Sequence, residues 1–476
     1  MTLWTASEAA AATAGRLHGD WAANGVSIDT RTLEPGDLFV ALTDVRDGHD
    51  FVAQALQKSA AAAMVARWPE DVPDDAPLLV VDDVLAGLEA LGRAGRARMQ
   101  GKVVGITGSV GKTSTKEMLR AMLADQGRTH ASVASYNNHW GVPLTLARMP
   151  ADTEFGVIEI GMNHPGEIAP LAKMAQPHVG LITTVAAAHL AAFDDVAGIA
   201  AEKASMLEGV LPDGFAVLNA DIETTPILIA KARERQLQEI TFGKSGNDFK
   251  LLKADLQDDT TVVQAIMSET PLLFKLASPG RHFASNALGA LAVMAALRTD
   301  MAIAVGSIGR WQPYKGRGQR ERIYLDPVDR HLTLDLLDDS YNANPTSMAA
   351  ALEVLASAVV THDIGRVSKG RRIAYLGDMK ELGDEAESLH RDLARLEAIG
   401  DVHTIHCVGP LMRHLHNALP ETRRGEWFET SAEAVTRLPR HLDSGDVVLA
   451  KGSLSMKLGA IVDAIRKMGH APLDDE

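Results

Sequence analysis

A chain of 476 residues that is 46 % hydrophobic has the apolar content for full cores and the length for about three domains. Its 47 Lys and Arg against 62 Asp and Glu leave a formal charge of −15, which excludes a general basic surface for nucleic acid or anionic membrane. Aromatic residues at 4 % argue against a single-strand stacking platform, and the one cysteine, Cys407, excludes an intrachain disulfide and fits a reducing cytoplasm. Cys407 itself reads as a small buried hydrophobe. The opening MTLWTASEAAAATAG has no basic n-region, so no signal peptide is expected. The longest stretch free of Asp, Glu, Lys and Arg, Met174 to Phe193, carries Gln176, Pro177, His178 and His189, which makes it a poor membrane span.

The first module runs to about Gly87 and holds SIDTRTLEPGDLFVAL (Ser27–Leu42), then short strands and helices ending in PLLVVDD (Pro77–Asp83). A helix over Leu85–Arg98 leads into a second module that opens at Lys102. There the apolar Val103-Val104 passes into GITGSVGKTST (Gly105–Thr115). A strand that turns through glycines into Lys, Thr and a helix is the build of a nucleoside triphosphate cradle. Gly108 and Gly111 have no Cβ to keep phosphate oxygens away. Backbone N–H groups and the helix N-terminus then face the anion. Lys112 supplies a point charge for the β- and γ-phosphates, and the Thr113 hydroxyl is placed for Mg²⁺. The general pattern G-x-x-x-x-G-K-[ST] wants Gly at 106, where this chain has Ile106, so the loop is a P-loop of a particular subtype. The alternative, a plain glycine turn, does not explain the Lys and Thr that follow at once.

Helical spacing continues through Met118, Leu119, Met122 and Leu123, with Lys116, Glu117 and Arg120 between them. Apolar runs at Val103–Ile106, Val157–Ile160, Gly180–Val185 and Ala216–Leu218 read as strands of a parallel sheet covered on both faces. Gly198–Leu207 reads as a helix between the last two, and Gly289–Leu297 as a buried helix. The basic YKGRGQRER (Tyr314–Arg322) has the glycine of a hinge or linker. A third module alternates again, with strands expected at Thr333–Leu337, Arg372–Leu376, His403–Val408 and Asp446–Ala450.

Polar residues at the ends of such strands are where open α/β sheets bind ligands. Glu159 interrupts an apolar strand, which is unfavourable unless the carboxylate is paired or metal-bound. His189 ends AAAHL, and Lys203 lies in AAEKASML. Singly, each has an ordinary reading: an ion pair, a surface imidazole, a solvated helix face. Their order after a P-loop is the informative feature.

GITGSVGKTST, SYNNHWGVPLTL, VIEIGMNHPGEI, AAAHL, AAEKASML, GRHFASNALGAL, DDSYNANPTSM, LGDMKELG and AKGS stand in the order of the Mur ligases, and nearly the whole chain resembles that family. DDSYNANP and LGDMKELG resemble the branch that adds a dipeptide; the DNPR motif of the branch that adds a diamino acid is absent. The resemblance implies an α/β protein of three domains. These are a smaller mixed α/β domain for the uridine-diphosphate substrate (1–87), a central parallel-sheet ATPase domain (88–313) and a Rossmann-like domain (314–476) that binds the incoming dipeptide and closes on ATP. It implies a cytoplasmic monomer that makes an amide bond through an acyl phosphate, from ATP, UDP-N-acetylmuramoyl-tripeptide and D-alanyl-D-alanine. Other Mur-type or folylpolyglutamate-type ligases are the enzyme alternatives, and an ATP-hydrolysing switch is the non-enzyme one.

Residue by residue, the resemblance places ATP on Thr107, Gly108, Ser109, Val110, Gly111, Lys112, Thr113 and Ser114, with His282 and Asn286 at adenine, Arg317 at the phosphates and Asp339 at ribose or phosphate. Thr113, Glu159, His189 and Lys203 resemble the ligands of a pair of Mg²⁺ ions. Lys203 resembles the lysine that CO₂ carbamylates into an oxygen donor, and Lys112, His189 and Lys203 form the catalytic group. Ser27, Thr30, Arg31, Asp47, Gly48, His49, Asn137 and Asn138 resemble contacts to the nucleotide-sugar substrate. Asn342, Asn344, Lys451 and Ser453 are candidates for the dipeptide, although Asn342 and Asn344 also suit a turn before Pro345. The family commonly follows KGS with Arg; this chain has Leu454.

Overall fold

The computed structural model describes residues 2–188 and 190–470, and among these the three main sheets hold five, nine and six strands. The five-stranded sheet runs Arg16–His18, Leu78–Val80, Ala62–Val65, Asp37–Val40, Gly25–Ser27, and all but the first strand are parallel. Its central strand Ala62–Val65 is short, apolar and buried throughout, as suits a sheet covered on both faces. The helix Val84–Arg98, started by the Asp83 side chain on the Ala86 N–H, closes one of those faces with Leu88 and Leu91.

In the central sheet, Lys102–Thr107 lies between Phe155–Glu159 and Val179–Ile182, all parallel. Register sets Glu159 opposite Ile106 and Ile182 opposite Thr107, so three strand ends meet at the phosphate loop. Ile106 is fully buried in the strand; the conformational demand for glycine starts only at Gly108. Helices Lys112–Ala124 and Arg281–Ala296 cover one face, and Ile168–Ala175 and Val196–Ala204 the other. The buried helix expected at Gly289–Leu297 is the second half of Arg281–Ala296, where a Cβ on Gly289 would stand 2.9 Å from the Phe242 ring. Beyond Phe215–Asn219 and Gln238–Gly243, the strand Phe249–Gln257 leads into an antiparallel meander with Thr260–Met267 and Thr270–Leu276.

The third sheet runs Gln319–Tyr324, Thr333–Asp339, Val447–Lys451, Arg372–Gly377, Thr404–Val408, Arg424–Phe428, parallel except for the first strand. The basic hinge read at Tyr314–Arg322 is therefore corrected: Gln319–Arg322 is edge strand, and only the turn before it, with positive φ at Gly316 and Gly318, is free of the sheet. Arg320 and Arg322 both grip Asp335 on the neighbouring strand, which is why a basic run sits in a ladder. Cys407 is fully buried in the core of this sheet, as expected, and burial pushes its thiol pKa up. No helix among the described residues is long and apolar enough to cross a membrane.

The first and second sheets are joined by close helix packing. Gly92 and Gly95 let Val84–Arg98 lie against the backbone of Gly141–Ala147, and Arg148 Nε donates to Val26 O at 2.6 Å. A Cβ on Gly95 would sit 2.2 Å from the Leu146 carbonyl oxygen. We expect Gly95→Ala to destabilise the fold by about 1–3 kcal/mol, while Gly400→Ala, whose Cβ meets nothing within 4 Å, leaves it unchanged. Thermal unfolding of the two variants checks this.

Candidate active site

The phosphate loop takes its shape from two glycines. Gly108 has φ 153°, and a Cβ there would stand 2.0 Å from Thr183 Oγ1; Gly111 has φ 87°, and its Cβ would stand 2.6 Å from Asn286 Oδ1. Thr183 Oγ1 donates to Val110 O (2.6 Å), Ser109 Oγ to Ala186 O (3.0 Å) and Lys112 Nζ to Gly108 O (2.6 Å). No side chain caps the helix that begins at Lys112, so its first N–H groups face the cleft, ready for an anion. Burial lowers the Lys112 pKa, opposed by the charge of Glu159.

Glu159, 1 % exposed, closes its strand beside this loop. Its Oε1 accepts from Asn137 Nδ2 (2.7 Å) and Thr113 Oγ1 (3.2 Å). Its Oε2 is buried without a hydrogen-bond partner. An orphaned carboxylate oxygen beside a threonine hydroxyl and a phosphate loop fits Mg²⁺, a hard cation that takes one or two carboxylates and completes its shell from phosphates and water.

The third unit supplies the opposite wall. Lys451 Nζ, 2 % exposed, donates to Asp339 Oδ2 (2.7 Å) and Asn342 O (3.0 Å). Burial raises the Asp339 carboxyl pKa, and Lys451 opposes that. Arg317 stacks on the Tyr341 ring at 4.1 Å and donates from Nη2 to Ser135 Oγ (3.1 Å), so it spans both walls. His282 has its pKa lowered to about 4 by burial and by the charge of Lys451, so it is a neutral imidazole at pH 7; its Nδ1 is buried without a partner. The resulting cavity is about 580 Å³.

Of the residues singled out in the sequence, Ser109 through Ser114, Asn137, Asn138, Glu159, His282, Asn286, Arg317, Asp339, Asn342, Asn344 and Lys451 line this one cavity. Thr107 and Gly108 lie at the strand end beneath it. Lys203 is buried and off the lining; burial and the charge of Lys112 hold its pKa far below that of an ordinary lysine. His189 lies outside the described residues. Asn344 caps Pro345–Ser357 by accepting from Ser347 N (2.9 Å), and Ser453 Oγ accepts from Lys380 N (2.9 Å) away from the cavity. Ser135, Tyr341 and Met162, also in the lining, were missed; the Tyr341 signal lay inside DDSYNANP.

Ser27, Thr30, Arg31, Asp47, Gly48 and His49 belong to the first sheet's unit. Thr30 Oγ1 donates to Gln54 Oε1 (2.9 Å), Ser27 Oγ to Asp29 O (3.2 Å), and the exposed Arg31 forks onto Asp29. His49 Nε2 accepts from Ala66 N, so Nδ1 carries the proton toward Asp47 Oδ1 at 2.6 Å. Arg67, not foreseen from the sequence, donates to Asp47 Oδ2; with His49 it holds that carboxyl pKa well below the usual range.

Two family models match the chain: Mur ligase middle domain over residues 106–294 and Mur ligase, glutamate ligase domain, over 325–454. Over 461 residues it is 33 % identical to the UDP-N-acetylmuramoyl-tripeptide–D-alanyl-D-alanine ligase of Escherichia coli K12, with 96 % of each chain covered. A crystal structure of MurF from Acinetobacter baumannii matches with a TM-score of 0.82 at 30 % identity, covering 98 % of this chain and 99 % of that one. MurF ligase from Thermotoga maritima, solved in complex with ADP, shares the fold at TM-score 0.76 and 24 % identity, covering 93 % and 97 %.

Gly111→Ala places a methyl group against Asn286 at a positive φ. We expect it to weaken binding of a non-hydrolysable ATP analogue roughly tenfold or more, measured by calorimetric titration.

Proposed function

The chain belongs to the Mur ligase family, and from that premise we propose that it joins D-alanyl-D-alanine to UDP-N-acetylmuramoyl-tripeptide in peptidoglycan precursor synthesis. It is an ATP-dependent ligase that forms an amide bond and releases ADP and phosphate. The observation that carries the substrate assignment is the 33 % identity, over 96 % of each chain, to a ligase named for those two substrates; the ATP chemistry is supported by one cavity in which the phosphate loop and Glu159 of one unit face Arg317, Asp339 and Lys451 of another.

A carboxylate is a poor acyl donor, and phosphorylation gives it a leaving group. The terminal carboxylate of the tripeptide attacks the γ-phosphorus of ATP, forming an acyl phosphate as ADP departs. The amine of the dipeptide then attacks the acyl carbon, and phosphate leaves the tetrahedral intermediate as the amine loses its proton. Two anions must approach for the first step, so cations have to lie between them. Lys112 and the N–H groups of the loop hold the β- and γ-phosphates. Arg317 reaches the same phosphates from the opposite wall, fixed in plane by Tyr341. His282 and Asn286 receive adenine, with the unpartnered Nδ1 of His282 accepting from it. Asp339 serves the ribose or phosphate side. Asn137 and Asn138 hold the nucleotide-sugar substrate, and Ser27, Thr30, Arg31, Asp47, Gly48 and His49 hold its uridine diphosphate.

Thr113, Glu159, His189 and Lys203 would hold Mg²⁺, which supplies charge neutralisation at the phosphates and the acyl oxygen. Burial and the charge of Lys112 lower the Lys203 pKa and so favour the neutral amine, the form that adds CO₂ to give a carbamate and a proton. Lys451, with Asn342 and Asn344, sets the dipeptide side, and Ser453 supports it from behind by accepting from Lys380 N. Residues 1–87, 88–313 and 314–476 are the substrate, ATP and dipeptide domains. A cytoplasmic location accords with the single buried cysteine.

Purified protein given ATP, Mg²⁺, UDP-N-acetylmuramoyl-tripeptide and D-alanyl-D-alanine is expected to yield the pentapeptide product by mass spectrometry, with one phosphate released per bond. Phosphate release that ignores both cosubstrates would sink the reading and favour a switch. Lys203→Ala is expected to abolish ligation, with partial return on adding short carboxylates. ¹³C NMR under ¹³CO₂ should show a carbamate signal in the parent protein that the variant lacks.

A further inference from the structure

Lys116 falls among the polar positions of its helix by sequence, yet its side chain is 0 % exposed. A buried ammonium is strongly unfavourable unless surrounding acceptors replace its water. Here three groups do so. Nζ donates to Ala134 O at 2.6 Å, lies 3.1 Å from Glu117 Oε1, and stands 3.8 Å from the otherwise unpartnered Glu159 Oε2.

Ala134 is the hinge of the arrangement. It adopts φ 47°, a left-handed conformation that an L-alanine holds only when its surroundings enforce it. Three of the four residues after it, Ser135, Asn137 and Asn138, line the site. Ser135 takes the Arg317 guanidinium, Asn137 donates to Glu159 and accepts from Gly161 N, and Asn138 Oδ1 accepts from Gly141 N to start the next helix. We propose that Lys116 is a positioning residue that fastens the Ser135–Asn138 loop to the phosphate-binding helix and to Glu159, so that one buried ammonium sets the acceptor-substrate loop against the nucleotide site.

The phosphate loop does not depend on this bond. Its backbone is held by bonds from Thr183, Ser109 and Lys112, none of which involves Lys116. Loss of Lys116 therefore loosens the substrate loop and leaves the nucleotide cradle in place. Trp140, two residues beyond Asn138, packs edge-on against Tyr136 at 5.3 Å and reports on the loop.

The kinetic arm of the test rests on the ligase reading; the spectroscopic arm does not. With Lys116→Met, the KM for UDP-N-acetylmuramoyl-tripeptide is expected to rise roughly tenfold, the fold-change for a lost charge-assisted hydrogen bond, while the KM for ATP changes little. Lys116→Arg, which keeps a charged donor, is expected to rise less. In ¹⁹F NMR of protein carrying 5-fluorotryptophan, the Trp140 resonance, assigned with Trp140→Phe, is expected to shift or broaden in Lys116→Met while those of Trp21 and Trp311 hold. An unmoved Trp140 resonance, or both KM values rising together, overturns the proposal. Should Lys116→Met not fold, Glu117→Leu removes one of the three acceptors and is expected to give the same Trp140 change and a smaller, tripeptide-selective rise. If neither appears in that variant, the proposal fails. Absence of ligation by the parent protein strikes the ligase reading alone, since the Trp140 signal still decides the loop.

Discussion

The buried carboxylate of Glu159 is the group on which the site depends. A carboxylate at 1 % exposure is sustained only by what surrounds it. Two hydrogen bonds reach one oxygen, Lys116 stands near the other, and Lys112 adds its charge from the phosphate loop. The same dependence explains why a protein of net charge −15 can bind polyanionic substrates. Its cations are concentrated where walls of low polarizability strengthen them, and its acidity is spent on the surface.

Burial acts differently on each lysine of the site. Lys112 keeps Glu159 within reach and is lowered less severely than Lys203, for which Lys112 adds repulsion to desolvation. An amine that gives up its proton readily is unsuited to hold phosphate and suited to react with CO₂. Lys451 is paired directly with Asp339 and so serves to hold a wall in shape. The division of labour among chemically identical side chains follows from their partners.

The phosphate loop, the core strands and the order of the motifs were legible in the sequence because each rests on local rules: glycine at positive φ, apolar runs in a parallel sheet, Lys-Thr at a helix start. The antiparallel meander was not read, because Phe249-Lys250-Leu251 alternates across a half-exposed edge and has no apolar run. Tyr314–Arg322 reads as a hinge because of its glycines, which mark only the turn at Gly316 and Gly318; Asp335, thirteen and fifteen residues along the chain, makes Arg322 and Arg320 ladder residues. Lys116 falls among polar positions by its spacing. Helical spacing reports which face of a helix is apolar, and it is silent about a charge that finds its acceptors in a loop eighteen residues away. Likewise Arg67 has no local signal, since its pairing with Asp47 crosses twenty residues.

The cavity is divided between units whose contacts are few and mostly charged. Asp258, at the tip of the meander, accepts from Arg320 and from Val359 N (3.1 Å) of the third unit, and Arg281 pairs with Glu353 across the same boundary. The exposed Arg281–Glu353 pair contributes little net stability, so it holds an orientation without locking it. That is the property an acyl phosphate site needs. The intermediate hydrolyses if water reaches it, which demands closure, and three separate reactants must enter first, which demands opening. Arg281 stands one residue before His282, and Glu353 lies on the helix that Asn344 caps; the ion pair therefore ties one wall of the cavity to the other.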